Sequence, residues 1–265
     1  SEISWPSETE VITLGEEHQG LLRNNYNLLL HRLECNRLNE SALNNCLDTK
    51  KIVEDYYRHE YGLTYFDNFL SPQALQSLQK FLLASTIWFN VKKGGYLGAY
   101  LNEGLASPLI LQIADELKKK FPEIIKEYPL NHVWAYKYDS RANKKKSSLG
   151  GISVHADFAA VNVNFWITPS AANLDPTSGG LVVYNAEAPI DWDVSAYNNY
   201  EKNKESIDSE LKKNGGKKSI VPYKGNRVVL FNSNLLHETD RYTFMEGYQN
   251  RRINITMLFG NREYR

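Results

Sequence analysis

His155-Ala156-Asp157, His237 and Arg252 are the residues whose types and spacing could do chemistry together. His237 lies eighty residues after Asp157, and Arg252 fifteen residues after His237. In a strand, positions i and i+2 point to the same face, so His155 and Asp157 could grip one ion while Ala156 points away. His237, on a later strand, would supply the third ligand. Two imidazoles and one carboxylate on one side of a metal leave three cis positions open. That set suits Fe(II) which must also accept a chelating co-substrate and O₂.

The elements that must hold these residues can be read from hydrophobic periodicity. From His132 onward the pattern changes from helical spacing to period two or short apolar runs. Strands are expected near 132–138, 152–158, 161–168, 180–184, 219–222, 227–232, 235–238 and 251–259. Short strands with turn residues between them imply a mainly β jelly-roll barrel with helices before it covering one outer face. Phase then sorts the side chains. In 161–168, Val161, Val163, Phe165 and Ile167 share the face that packs on helices, while Asn162, Asn164, Trp166 and Thr168 line the barrel. By the same test Arg252 shares a face with Asn254 and Thr256, whereas Arg251 goes with Ile253, Ile255 and Met257. A guanidinium pointing inward is costly to desolvate and needs a carboxylate, which a bound dicarboxylate would supply in bidentate geometry.

The first sixty residues are expected to form a helical extension (1–60) ahead of the barrel domain (61–265). Leu21, Leu22, Tyr26, Leu29, Leu30 and Leu33 suit an amphipathic helix, and a second helix is expected from Asp48 to His59. Gly62 to Phe66 reads as a strand. Ser71-Pro72 and Ser107-Pro108 each pair a capping hydroxyl with a first-turn proline, followed by helical spacing. Between them, the Gly-rich 92–98 segment lacks a phosphate-loop sequence and reads as a connection. Two insertions, 140–148 with Lys144-Lys145-Lys146 and 186–218 with Tyr197-Asn198-Asn199-Tyr200, read as loops that either contact substrate or are simply solvated.

Thirty-one Lys plus Arg balance thirty-one Asp plus Glu, so no global field attracts nucleic acid or an anionic membrane surface. No apolar run reaches the roughly eighteen residues of a membrane span, and residues 1–5 lack a signal-peptide pattern. A cytoplasmic protein is expected. The chain begins with Ser rather than Met, which fits processing or a longer parent chain. Cys35 and Cys46, in no compact metal-binding spacing, read as packing residues in a reducing compartment.

From about Gly62 to Arg262, roughly three quarters of the chain, the sequence resembles the 2-oxoglutarate- and Fe(II)-dependent oxygenases. The resemblance rests on His155-x-Asp157, on His237, and on Arg252-Ile253-Asn254-Ile255-Thr256, which is similar to the Arg-x-Asn/Ser-x-Thr end of such domains. Asn164 to Pro169, Ser178-Gly179-Gly180-Leu181 and His237-Glu238-Thr239 resemble uncharacterised bacterial and marine members. It implies a double-stranded β-helix in which His155, Asp157 and His237 hold Fe(II). The 2-oxo acid end of 2-oxoglutarate would chelate the metal and Arg252 would pair with its far carboxylate, with Asn254 beside it. Tyr136, Tyr138 and Asn164 are candidates to hydrogen-bond the co-substrate. Its implied reaction splits 2-oxoglutarate to succinate and CO₂ with O₂ and hydroxylates an unactivated C–H of a peptide side chain or small metabolite. The His-to-Arg spacing is longer than in many prolyl-hydroxylase-like members, which keeps Arg251 as a fallback. Trp134 and Trp166 are candidates to exclude water, with core packing the plainer role.

Three other readings compete. One is a barrel that binds a protein or ligand without catalysis; a second is a cupin-type metalloenzyme without 2-oxoglutarate, for which His132 is the one further imidazole near the strands. A third, a nucleic-acid demethylase, has the last-strand pattern but lacks a basic patch.

Overall fold

The computed structural model describes residues 14–24, 28–92, 95–141, 151–213 and 215–263. Tyr26, Lys93, Gly94, the Lys144-Lys145-Lys146 triplet, Asn214 and residues 1–5 lie outside them. Two long helices start as their sequences dictate. Ser71 accepts from Ala74 N–H and Ser107 from Ile110 N–H, each with proline next in line, opening α3 (Pro72–Ala84) and α4 (Pro108–Lys120). Asp48 caps α2 (Thr49–Arg58) by accepting from Lys51 N–H. The other α-helices are α1 (Glu16–Leu22), α5 (Pro122–Ile125), α6 (Val194–Tyr197) and α7 (Tyr200–Lys213), the last kinked at Asn203.

The strands are β1 (Leu63–Phe66), β2 (Asn90–Lys92), β3 (Tyr96–Tyr100), β4 (Leu130–Tyr138), β5 (Val161–Trp166), β6 (Leu181–Glu187), β7 (Lys218–Val221), β8 (Val228–Asn232), β9 (Leu235–Thr239) and β10 (Arg252–Phe259). They build two antiparallel sheets, ordered β1-β8-β5-β10-β4-β3-β2 and β7-β6-β9. Together these form a double-stranded β-helix.

Alternation along the strands divides the core. Val161, Val163, Phe165, Ile253, Ile255 and Met257 leave one face of the large sheet and meet Leu78, Phe81, Ile110, Ile113 and Leu117 of α3 and α4. From the opposite face Tyr138, Trp166, Val229 and Phe231 meet Leu181, Val183 and Leu235 of the small sheet. A third cluster is smaller: Val154, Ala156 and Leu236 pack with Ala186, Ala188, Tyr197 and Ile207. Its members alternate with, or adjoin, the residues expected to bind metal.

The structure differs from the sequence reading in five places. The Leu-rich N-terminal periodicity is not one helix: α1 ends at Leu22 without a buried residue, and Leu28, Leu29 and Leu30 are exposed. Leu30 and His31 N–H donate to Thr86 Oγ1 and Leu33 N–H to Ser85 Oγ, so tertiary hydrogen bonds hold that stretch extended against its local preference. Residues 152–158 form no strand; an isolated antiparallel bridge joins His155 to His237. The Gly-rich 92–98 segment closes a hairpin, with Lys92 paired to Tyr96 and Asn90 to Gly98, and extends the large sheet. Much of the 186–218 insertion is helical, forming α6 and α7. Cys35 is buried but Cys46 is exposed, so only the former packs.

Arg262 pins that insertion. Its guanidinium donates to Asn234 Oδ1 (2.8 Å) and to the carbonyls of Trp192 (3.0 Å), Ala188 (3.0 Å) and Pro189 (2.9 Å), and it lies 4.2 Å from the centre of the Tyr197 ring. Lys137, on the helix-facing side of β4, is 1% exposed. Its amine meets Leu82 O (3.3 Å) and Tyr248 Oη (2.6 Å) and the rings of Trp88 and Tyr248. No helix of the described residues is long and apolar enough to cross a membrane.

Two outcomes follow. Arg262→Ala removes the donor to Trp192 O and the second donor to Ala188 O and Pro189 O, and costs about 1 to 3 kcal/mol, read in chemical denaturation, with hydrogen exchange rising across 188–200 before the large sheet is affected. Burial, aided by the charge of Arg251, pushes the Lys137 amine down to about 6. An unfolded lysine titrates near 10.4, so between these values the unfolded chain binds a proton that the folded one does not, and stability rises with pH. Relative to Lys137→Met, the wild type therefore gains about 1.4 kcal/mol per pH unit across that window, whereas a pH-independent difference would refute a neutral buried amine.

Candidate metal and co-substrate site

The His155–His237 bridge assembles the site. His155 N–H donates to His237 O (2.9 Å) and His237 N–H to His155 O (2.7 Å), which brings the two rings to 4.2 Å between centroids. Asp157 N–H donates to Ser233 O, so the carboxylate is fixed from its own backbone. Between the two, Ala156 N–H donates to Tyr197 O, tying this segment to the α6 insertion behind it. One ligand atom from each of His155, Asp157 and His237 lies within 4.8 Å of the others. His237 Nε2 is 3.5 Å from Asp157 Oδ2, and His155 Nε2 is 3.9 Å from Asp157 Oδ1.

The surroundings prepare these atoms for a cation. His155 Nδ1 lies 2.9 Å from Ser153 O and His237 Nδ1 lies 2.8 Å from Leu235 O. A carbonyl only accepts, so each Nδ1 carries the proton and each Nε2 keeps its lone pair facing the centre. Burial first, then the neighbouring His237, pushes the His155 imidazole down to about 4, so it is neutral at neutral pH. Burial opposes ionisation of Asp157, but its contacts with His237, His155 and the Asn162 amide (2.6 Å) outweigh burial and hold the carboxyl below its usual range. The result is two imidazole Nε2 atoms and one carboxylate around a single point.

All three face a cavity of about 390 Å³ that Arg252 also lines. Arg252 is 2% exposed and points inward, as its phase requires, while Arg251 lies outside this cavity and pairs with Asp139 at 2.8 Å. Arg252 Nε donates to Gly179 O (2.7 Å), Nη2 to Gly180 O (3.1 Å) and Nη1 to Asn254 Oδ1 (3.1 Å). Its guanidinium lies 4.6 Å from the Tyr138 ring centre. The Gly-Gly turn is needed for this: Gly179 has φ +87°, and a Cβ on Gly180 would sit 1.8 Å from Val221 O. Among the described residues no carboxylate lies within ion-pair distance of Arg252; dipoles, the Tyr138 and Trp166 rings (4.6 and 6.0 Å) and the more distant charge of Asp240 meet its own.

Asn254 bridges Arg252 and Thr256, whose hydroxyl accepts from Asn254 (3.3 Å) and from Asn164 (3.0 Å). Asn164 lines the cavity, and its buried Oδ1 has no hydrogen-bond partner among the described residues. Tyr138 is buried beneath Arg252, and burial raises its phenol well above the ordinary range. Tyr136 lines the cavity with its hydroxyl 3.4 Å from that of Tyr100. The candidate ligands His155, Asp157 and His237 and the candidate co-substrate residues Arg252, Asn254, Tyr136, Tyr138 and Asn164 therefore line this one cavity, whereas Asn162, Thr168 and the fallback Arg251 do not. Trp134 does as well, whereas Trp166 is fully buried between the sheets.

The sequence reading missed several lining residues. Lys92, Tyr96 and Tyr100 come from the hairpin taken for a connection, and Asn198 from the insertion taken for a loop. Phe158 directly follows Asp157 and packs on His132, ring centres 4.7 Å apart. Tyr96 and Tyr100, four residues apart, share a face of β3, but that short, glycine-containing strand gives the spacing too little context to stand out.

No family model matches the sequence, and no curated protein sequence matches it. Solved structures do match in fold. The non-haem alpha-ketoglutarate-dependent epimerase SnoN from nogalamycin biosynthesis is similar with a TM-score of 0.53 and 12% identity, over 80% of this chain and 82% of that one. HygX from Streptomyces hygroscopicus, in a structure with nickel and 2-oxoglutarate bound, is similar with a TM-score of 0.50 and 13% identity, over 79% of this chain and 86% of that one. Identities this low establish the architecture: this chain has the double-stranded β-helix fold of the 2-oxoglutarate- and Fe(II)-dependent oxygenases.

Proposed function

We propose that this protein is a 2-oxoglutarate-dependent oxygenase that binds Fe(II) through His155, Asp157 and His237 and hydroxylates a C–H of a small metabolite or peptide side chain. One observation carries the reading: a buried guanidinium lacking an acidic partner shares a cavity with three converged ligands of the 2-His-1-carboxylate type. The donor set fits the ion. Two imidazole nitrogens and one carboxylate suit Fe(II) and leave positions free, where a fully thiolate or tetrahedral set would not.

When bound, iron and 2-oxoglutarate would supply O₂ activation, with succinate and CO₂ as co-products. The chain's own residues bind, orient and exclude water. Arg252 offers its remaining N–H groups to the distal carboxylate of the co-substrate, and Asn254 fixes its fork. Asn164 presents an unused acceptor and Tyr136 a hydroxyl at the cavity wall, where either can meet a bound acid. Tyr138 stacks under Arg252 and keeps water from the guanidinium. Ser153 and Leu235 carbonyls hold the imidazole protons, so the ligating nitrogens need no base to free them.

A non-catalytic barrel accounts for the fold but not for a buried guanidinium, without a carboxylate at ion-pair distance among the described residues, that lines the same cavity as the triad. Incubated in air with Fe(II) and 2-oxoglutarate, the protein is expected to form succinate slowly without added substrate, measured by chromatography. His155→Ala abolishes this. Arg252→Lys raises the 2-oxoglutarate KM at least about thirtyfold while Fe(II) affinity stays within about twofold, as expected when one partner of a desolvated charge pair is altered. Succinate formation that ignores both substitutions would reject the assignment.

A further inference from the structure

The cavity divides along its sheet. The β10 and β5 side carries Arg252, Asn254 and Asn164, assigned above to the co-substrate; Tyr138 and Tyr136 of β4 stand at the border, paired with Arg252 and Asn254, and the rest of the β4, β3 and β2 side is aromatic. On β4, His132, Trp134, Tyr136 and Tyr138 alternate onto one face. In register, Tyr138 pairs with Arg252, Tyr136 with Asn254 and Trp134 with Thr256. The Trp134 rung therefore lies four residues, roughly 13 Å along the strand, from the Arg252 rung. Across the other edge Trp134 pairs with Tyr100, and Phe158 closes the wall against His132. Apart from the Tyr100 and Tyr136 hydroxyls, 3.4 Å apart, this wall is built of rings, and rings suit the flat body of another ring.

One charge stands on this aromatic side. Lys92, half-buried on β2, lines the cavity with Nζ 5.2 Å from the Tyr100 ring centre, and among the described residues no carboxylate pairs with it. Charge counting then decides what it awaits. The charged side chains of the cavity are Lys92, Asp157 and Arg252. Asp157 cancels Arg252, and a 2-oxoglutarate dianion cancels Fe(II). The loaded site is neutral except for the ammonium of Lys92, left over in a part of the cavity without another ionised group.

We infer that the substrate is a small ring-bodied acid, its ring lying against Trp134, Tyr136 and Tyr100 and its carboxylate or other anionic group paired with Lys92. The inference rests on the co-substrate assignment, which gives Arg252 and the β10 side to 2-oxoglutarate. An aromatic wall by itself would equally suit an alkylammonium group. Lys92 opposes that alternative, since a second cation beside it is repelled.

The test uses full-length protein with Ni(II) in place of iron. Calorimetric titration with 2-oxoglutarate comes first and reports on the co-substrate assignment alone. Ligand-observed NMR on the same sample then measures Kd for phenylacetate against phenylacetamide, cyclohexanecarboxylate against its amide, and benzyltrimethylammonium. Each acid is expected to bind about tenfold more tightly than its amide, the worth of one charge-assisted contact. Lys92→Met removes that preference, leaving amide and 2-oxoglutarate binding unchanged, and Lys92→Glu turns it toward the ammonium probe. Trp134→Ala weakens acid and amide alike. Amides binding as well as acids, a preference that survives Lys92→Met, tightest binding by the ammonium probe, or no binding by any member while 2-oxoglutarate binds, would each overturn the inference. Failure of 2-oxoglutarate to bind would instead remove its premise.

Discussion

Two backbone hydrogen bonds between His155 and His237 join segments that are otherwise eighty residues apart, and the candidate metal site depends on them. The bridge fixes the distance between the imidazoles, leaving Asp157 two positions on to close the triangle. Each residue alternating with a ligand then has its own task. Val154, Ala156 and Leu236 turn away from the centre and form a small apolar cluster with Tyr197 and Ile207 of the insertion. Because Tyr197 O takes the Ala156 N–H, and Arg262 clamps the carbonyls of the same insertion, the back of the triad is held from behind. What the sequence presents as a surface loop is a buttress.

The second constraint is electrostatic. A guanidinium at 2% exposure is expensive to desolvate, and dipoles of two glycine carbonyls, an asparagine and an aromatic face only partly compensate. Gly179 and Gly180 make that cradle possible, since no other residue fits where the Gly180 Cβ would meet Val221 O. A site built at this expense is explained by a ligand that completes the charge. Lys137, across the same sheet, shows the other solution to burial: with rings and a phenol around it and no acid, it gives up its proton.

Much of this was legible where local rules decide. Ser-Pro caps announced α3 and α4, and period-two alternation separated Arg252 from Arg251 and the helix-facing from the cavity-facing residues of β5. Long-range contacts erased the signal elsewhere. The leucines from 21 to 33 have helical spacing, yet hydroxyls of Ser85 and Thr86 hold part of that stretch extended. The β2–β3 hairpin is short and glycine-containing, so Lys92, Tyr96 and Tyr100 carried no strand signal strong enough to place them at the cavity. α7 buries a single residue, Ile207, and is kinked at Asn203, and Arg262, which holds the carbonyls of Ala188, Pro189 and Trp192 ahead of it, lies seventy or more residues further on than they do. Lys137 reads as an exposed charge because nothing local indicates Trp88 and Tyr248 above it.

The central claim is that one cavity loads a metal through the triad and an oxo acid through Arg252. Anaerobic titration of the purified protein with Fe(II) and then 2-oxoglutarate tests it most directly, because an oxo acid chelating ferrous iron produces a weak visible charge-transfer absorption before any turnover. The account predicts that absorption in the wild type, its loss in Asp157→Ala, and its recovery only at much higher 2-oxoglutarate in Arg252→Lys. Tightly bound iron with no absorption at saturating 2-oxoglutarate would contradict the account and leave a metal centre of a different chemistry.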